Sequence, residues 1–175
     1  MSVTDVAAAQ VQLDSALFQR LLDEAALSAR KRSFLTLHAS HQDPVQRLVI
    51  GLLPESFVPI HRHTQPQQWE LFIILSGAVD LLVFDDAGKV LSRQHIAAGS
   101  ALCAVELPPL TWHSLVCEQP AVFIEIKQGP FDAAVPTDIA RFSALENSIQ
   151  TAACLTWLQH ATVGDISPFQ RNFAA

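Results

Sequence analysis

The sequence predicts an all-β domain, an antiparallel barrel or sandwich, with one helix before it and helices after it. Three observations predict this. From Ser33 to about Gln128, short runs of Val, Ile, Leu and Phe alternate with turn signals. No helical stretch of roughly 10–15 residues separates the runs, so strand–helix–strand units are not expected. On both sides of this zone the apolar spacing changes to a helical period.

Residues 1–12 are small, polar and Ala-rich and are expected to fray. From Asp14 to Arg32, Leu17, Phe18, Leu21, Leu22 and Ala25 recur at helical spacing. Asp14 or Ser15 suits the N-cap, and Arg30, Lys31 and Arg32 suit the negative end of the dipole. The candidate strands are Phe34–His38, Val45–Leu53, Phe57–His63, Trp69–Leu75, Val79–Phe84, Val90–Ile96, Ala101–Leu107, Trp112–Glu118 and Val122–Lys127. Asp85-Asp86-Ala87-Gly88 reads as a hairpin loop with Gly at a positive-φ position. Past Pro136, Ile139, Phe142 and Leu145 mark one short helix, and Ile149 to about His160 a second. Gly164–Ala175 is expected to be loose. The division is an arm and helix over 1–32, a barrel over 33–131 and a helical extension over 132–175.

The chain has 175 residues, one domain's worth, and is acidic: Lys plus Arg is 11, Asp plus Glu 17, and the net charge −6. That balance argues against nucleic acid, whose phosphates need clustered cations. Half the residues are hydrophobic, enough for a core with a surplus that suits an oligomer interface, and a homodimer is expected. Three scattered cysteines form no pair and no CxxC motif, which fits a reducing cytoplasm. The first residues carry no basic leader, and no apolar run approaches a membrane span. There is no Tyr, so no phenol acts as acid or base.

His61-Arg62-His63 lies on a candidate strand, where residues i and i+2 share a face. Both imidazoles point one way and Arg62 the other. Two neutral His on a rigid strand suit a divalent transition metal. Glu70 shares its face with Phe72 and Ile74, where a carboxylate needs a partner unless it sits at the solvent-exposed strand end. Pro108-Pro109 makes a rigid turn that delivers His113, with Leu115 and Cys117 on its side.

Together these residues resemble the two motifs of the cupin superfamily. The first appears as His61, His63, Glu70 and Gly77, with Gly51 upstream; the second as Gly99, Pro108 and His113. The gap from His63 to Glu70 is longer than usual, Leu110 stands in place of a Gly, and Cys117 in place of an Asn. A narrower resemblance spans about residues 30–135. Thr36-Leu37-His38, Gln46-Arg47-Leu48, Pro59 to His63, Val83 to Gly88, Glu106-Leu107-Pro108, Thr111-Trp112-His113 and Glu125 to Phe131 look like the WbuC-type cupin metalloproteins. Thr36 replaces an Asn of that family, Phe131 replaces a Tyr, and the C-terminal helices look like an addition.

The resemblance implies a double-stranded β-helix with a metal held by His61, His63 and His113, and Glu70 as fourth ligand or base. It also implies proximity to bacterial surface-polysaccharide metabolism. The metal would be divalent (Fe, Zn, Mn or Ni) with open coordination positions, and the ligand a small molecule such as a sugar or nucleotide sugar. A non-catalytic binding protein with a regulatory role and an iron-dependent dioxygenase are the alternatives. Lys127 reaches inward for an anion or pairs with Glu125. Gln46 or Arg47 lines the pocket or sits on an edge. His38 is expected behind the ligands, Trp112 in core or interface, and Cys117 as a structural thiol. His41, His95 and His160 have no assigned role.

Overall fold

The computed structural model describes residues 10–131 and 137–171. In chain order the elements are α1 (Ser15–Leu27), β1 (Arg32–Thr36), β2 (Val45–Leu52), β3 (His61–Arg62), β4 (Glu70–Ser76), β5 (Ala78–Phe84), β6 (Val90–Ala97), β7 (Ala104–Leu107), β8 (Trp112–Val116), β9 (Ala121–Gln128), β10 (Asp138–Ile139) and α2 (Thr151–His160). They form two five-stranded sheets, β1-β2-β9-β4-β7 and β10-β3-β8-β5-β6.

The pairing identifies the architecture. β5 pairs with β6, β4 with β7, β3 with β8 and β2 with β9, all antiparallel. The chain is thus one long hairpin, its tip at Asp85–Gly88, coiled so that successive strands pass between the two sheets. This is the cupin-type double-stranded β-helix, and the sheets remain open at their edges. At the tip, Asp85 Oδ1 accepts from the backbone N–H of Ala87 and Lys89, both at 2.9 Å. Gly88 there has φ +87, and a Cβ would meet the Phe142 ring at 2.7 Å, so this turn needs Gly for both reasons.

Strand alternation sorts the side chains. Leu52, Phe72, Ile74, Leu81, Leu115 and Phe123 fill the space between the sheets. Leu82, Phe84, Trp112 and Val116, on the outer face of the second sheet, pack with Phe142, Cys154 and Leu158 from the C-terminal segment. Val49 and Val122, on the outer face of the first, take Leu17 and Leu21 of α1. Gly51 permits that approach, since a Cβ would meet the Leu21 backbone at 3.0 Å.

Asp14 caps α1, accepting from Leu17 N–H at 2.9 Å. The helix stops at Leu27, short of the expected Arg32. Lys31 turns left-handed (φ 55) and its ammonium caps the Ala26 carbonyl at 2.8 Å. Arg32 opens β1 instead. The expected strand Phe57–His63 shrinks to His61–Arg62, because Pro59 lacks a donor and the Ile60 N–H goes to Ser143 Oγ at 2.9 Å. The expected helix at Ile139, Phe142 and Leu145 does not form. Asp138 and Ile139 pair with β3, and Ala140 N–H bonds to the Ile60 carbonyl. The barrel's unpaired backbone thus claims the groups a helix would use.

The C-terminal segment is also a correction as far as it is described. Val90 N–H bonds to the Asp165 carbonyl at 2.8 Å and Ser167 N–H to the Gly88 carbonyl at 2.9 Å. Ser167 is buried, its Oγ bonded to the Phe142 carbonyl, and Phe169 packs on Trp157. Residues 164–171 are docked rather than loose.

Candidate metal centre

β3 and β8 are neighbours, and His61 is directly opposite His113 in their ladder. Their ring centroids lie 4.3 Å apart; His63 lies 5.6 Å from His61 and 6.4 Å from His113. Glu70 enters from the facing sheet on β4, buried beside Phe72 as its strand parity requires. Its Oε1 is 2.8 Å from His63 Nε2 and its Oε2 3.3 Å from His113 Nε2. The four residues expected to meet do meet.

The imidazole tautomers follow from their second nitrogens. Nδ1–H of His61 donates to the Pro59 carbonyl at 2.9 Å, and Nδ1–H of His113 to the Thr111 carbonyl at 3.0 Å. A neutral ring so engaged presents Nε2 as a lone pair. This arrangement orients a metal-binding imidazole. Nε2 of His63 is buried without a hydrogen bond, because its 2.8 Å contact with Glu70 is off the ring's donor direction.

The donors are turned on one another rather than spaced around a common point. Among the described residues, no three His, Cys, Asp or Glu side chains are placed to hold a metal ion in this arrangement. A ready-made coordination sphere, expected from the HxH spacing, is therefore not present. The donor chemistry nevertheless fits a metal: three imidazoles and a carboxylate at one point, with a buried nitrogen lacking a bond.

Charge is tightly controlled here. Burial, reinforced by the neighbouring His113, pushes His61 down to about 3 and keeps it neutral. Burial alone would raise Glu70, but His63, His113 and Lys127 outweigh it and hold the carboxyl below its usual range. Lys127 Nζ lies 2.6 Å from Glu125 and 3.9 Å from Glu70. Burial opposes the Lys127 charge, yet the two carboxylates raise its pKa. The pairing of Lys127 with Glu125 is observed, on the wall of the cavity.

That cavity, about 300 Å³, opens beside His61, His63 and His113. Two groups on its wall were not legible in the sequence: Arg30 with Arg32, and Thr137, Ile139 and Glu146. Arg32 and Arg30 both bind Glu146, and Arg32 also donates to the Phe57 carbonyl at 2.8 Å. The only signal was the basic Arg30-Lys31-Arg32 run, which helix periodicity absorbed.

Other candidates fall outside the cavity. Gln46 is buried and donates to the Asp43 carbonyl at 2.8 Å, supporting the β1–β2 loop. Arg47 is exposed and bonds to the Leu37 carbonyl. His38 accepts from Arg47 N–H at 2.9 Å in the same hairpin. Arg62 points away as expected, stacking 4.2 Å over Trp112 and pairing with Asp138. Phe131 packs edge-on against His41, away from the cavity lining. Burial raises the Cys117 thiol to about 12, so it is inert.

Fold and cluster together define a cupin-type barrel carrying a His₃Glu cluster. A family model described as a domain of unknown function (DUF6016) matches residues 13–96. No curated protein matches the chain. Among solved structures the chain is similar to a cupin 2 conserved barrel domain protein from Rhodopseudomonas palustris, at 17% identity over 62% of this chain and 66% of that one, TM-score 0.46. It is similar to a sugar phosphate isomerase from a cupin superfamily of Silicibacter pomeroyi, at 20% identity over 56% of this chain and 59% of that one, TM-score 0.44. A third is the Cupin_2 domain of an XRE family transcriptional regulator from Enterobacter cloacae, at 13% identity over 57% and 98%, TM-score 0.45. Likeness at this level carries no chemistry to this chain. No described helix is long and apolar enough to cross a membrane.

Proposed function

We propose that this protein is a metal-binding cupin whose barrel presents a divalent transition metal to a small molecule, as a metal-dependent enzyme. One observation carries the reading. His113 donates its Nδ1–H to Thr111, so in the neutral ring Nε2 turns a lone pair on Glu70 Oε2 at 3.3 Å. Two electron-pair donors facing each other in a buried site repel, and a cation between them removes the conflict. An imidazolium proton would do so too, which the experiment below separates.

His61, His63 and His113 with Glu70 would hold the ion. A bound divalent metal supplies Lewis acidity, polarising a carbonyl or hydroxyl of the ligand. The chain's own residues do the rest. Pro59 and Thr111 carbonyls fix two imidazoles, while Phe72 and Leu115 exclude water from one side. Glu70, whose carboxylate would help hold the ion, would also be the group positioned to accept a proton from the ligand.

A WbuC-type role in surface-polysaccharide metabolism, a cytoplasmic location and a homodimer belong to this proposal. The half-buried Leu71 and Ile73 on the outer face of β4 support the dimer. The test is elemental analysis of protein purified without added metal, repeated on His113→Ala. About one transition metal per chain in the parent and none in the variant is expected. Metal-free parent protein that also fails to load from Zn, Fe, Mn or Ni solutions would leave only the imidazolium.

A further inference from the structure

The cavity walls specify what kind of molecule lies over the proposed metal, an inference that rests on that reading for the metal end alone. The wall that carries the histidines also carries cations. Arg32 is nearly buried, its side chain 16% exposed, and Arg30 stands beside it. Both guanidiniums share one carboxylate, Glu146, at 2.9 Å from Arg30 and 2.5 Å from Arg32. Two positive charges on one negative leave a single surplus positive charge. The neighbouring Lys127 adds none, because Glu125 neutralises it at 2.6 Å.

Arg32 also has donors to spare. Of its five N–H groups, Nη1 gives two, to Ser56 Oγ at 3.2 Å and the Phe57 carbonyl at 2.8 Å, and Nη2 gives one to Glu146. Nε–H and the second Nη2–H have no partner among the described residues. Nε–H and an Nη2 proton are the pair of donors an arginine offers a carboxylate bidentately. The Ser56, Phe57 and Glu146 contacts hold the guanidinium rigid.

Much of the remaining wall is apolar, from Ile50, Leu52, Val58, Phe72, Leu115 and Phe123, beside the paired Glu125 and Lys127. A polyol laid there would bury unpaired hydroxyls against hydrocarbon, which opposes binding. A volume of about 300 Å³ is at the small end for ligand sites.

We infer that the cavity binds a short monocarboxylate with an apolar body, its carboxylate on the free edge of Arg32 and its other end at the His61–His63–His113–Glu70 cluster. One surplus positive charge matches one carboxylate better than a phosphate dianion. Glu146 is then an internal competitor that tempers the subsite.

The test uses the full chain, metal-free in chelator at pH 7, titrated with pentanoate, pentanamide, propyl phosphate and glucose and followed by isothermal titration calorimetry in parent and variants alike. Pentanoate and pentanamide share a body and differ in charge. Pentanoate is expected to bind about tenfold or more tighter than pentanamide, the scale of one charge-assisted bidentate contact. Glucose is expected not to bind. Arg32→Gln should erase the preference. Glu146→Gln, which keeps Arg32 and removes its competitor, should tighten pentanoate by roughly three- to tenfold, and this variant stands as a test even if Arg32→Gln does not fold. Equal binding of acid and amide, tighter binding of propyl phosphate, or no gain in Glu146→Gln would each overturn the assignment. Elemental analysis judges the metal separately: acid-over-amide preference in a chain that takes no metal keeps the subsite and removes the metal reading.

Discussion

His61 and His113 are direct cross-strand partners, their rings 4.3 Å apart, and each donates Nδ1–H to the carbonyl two residues before it. The ladder sets the separation and the carbonyls set the tautomer, so the pair is pre-oriented before any ligand arrives. Because the donors come from three strands in two sheets, a bound metal ties the sheets together. Metal-loaded protein should therefore melt above chelated protein, by about 2.7 kcal/mol when metal is at 100 times its Kd. His61→Ala or His113→Ala should abolish most of that gap. His95→Ala should leave it, since His95 is exposed and bonded to Asp80 at 2.7 Å on the outer face. A gap that survives His61→Ala would remove the histidine pair from the metal site.

Glu70 is the one member delivered by the opposite sheet, after the long Thr64–Trp69 connection, and the contacts place it inside the cluster. Gln is nearly isosteric but neutral. Glu70→Gln should lower metal affinity about tenfold or more, while far-UV circular dichroism stays that of the parent. Unaltered metal uptake measured by chelator competition would make Glu70 a structural carboxylate whose task is to hold Lys127.

The strands of the central zone were legible because short Val, Ile, Leu and Phe runs between turn signals survive whether a strand buries one face, as β4 does, or both, as β8 does. The His–His–Glu–His cluster was legible in part: parity put His61 with His63 and Glu70 with Phe72 and Ile74, and the likeness to the cupin motifs joined these to His113. The C-terminal wall was not. Ile139, Phe142 and Leu145 are spaced three apart, and nothing local reveals that Ile60 and Ser143 will claim the backbone there. Arg32 was hidden by its neighbours, since a basic run after an amphipathic stretch reads as a helix end. Its partner Glu146 is 114 positions away, and no periodicity reports a pairing of that span.

The docked tail yields a stability prediction. Ser167 Oγ bonds to the Phe142 carbonyl in a buried setting, beneath the turn that requires Gly88. Ser167→Ala removes the donor and leaves that carbonyl without it, a loss of about 1–3 kcal/mol. Urea denaturation should show a lower midpoint at unchanged m-value. A midpoint equal to the parent's would mean the tail does not contribute to the fold.

Acid should unfold the metal-free protein through His61. In the fold its pKa falls to about 3, first because it is buried and then because His113 is near. In the unfolded chain an imidazole titrates near 6.5. Between these values the unfolded chain holds a proton that the folded chain refuses, so stability rises with pH across the window. The contribution is complete above about 6.5 and is lost progressively as pH falls towards 3. The slope is at most about 1.4 kcal/mol per pH unit, and smaller in practice because one side of the ring faces the open cavity. Glu70 acts in the same direction at lower pH. Its folded pKa is depressed, so its contribution is present above the ordinary carboxylate value near 4.3 and is lost as pH falls through the folded one. Urea midpoints in chelator, taken from pH 4 to 8, should be flat above about 6.5 and decline below it. His61→Phe, which keeps a flat ring of similar size and cannot take a proton, should flatten the decline between pH 6.5 and 4.5 and leave the steeper loss below it. An unaltered slope in that variant would assign the acid lability to other groups.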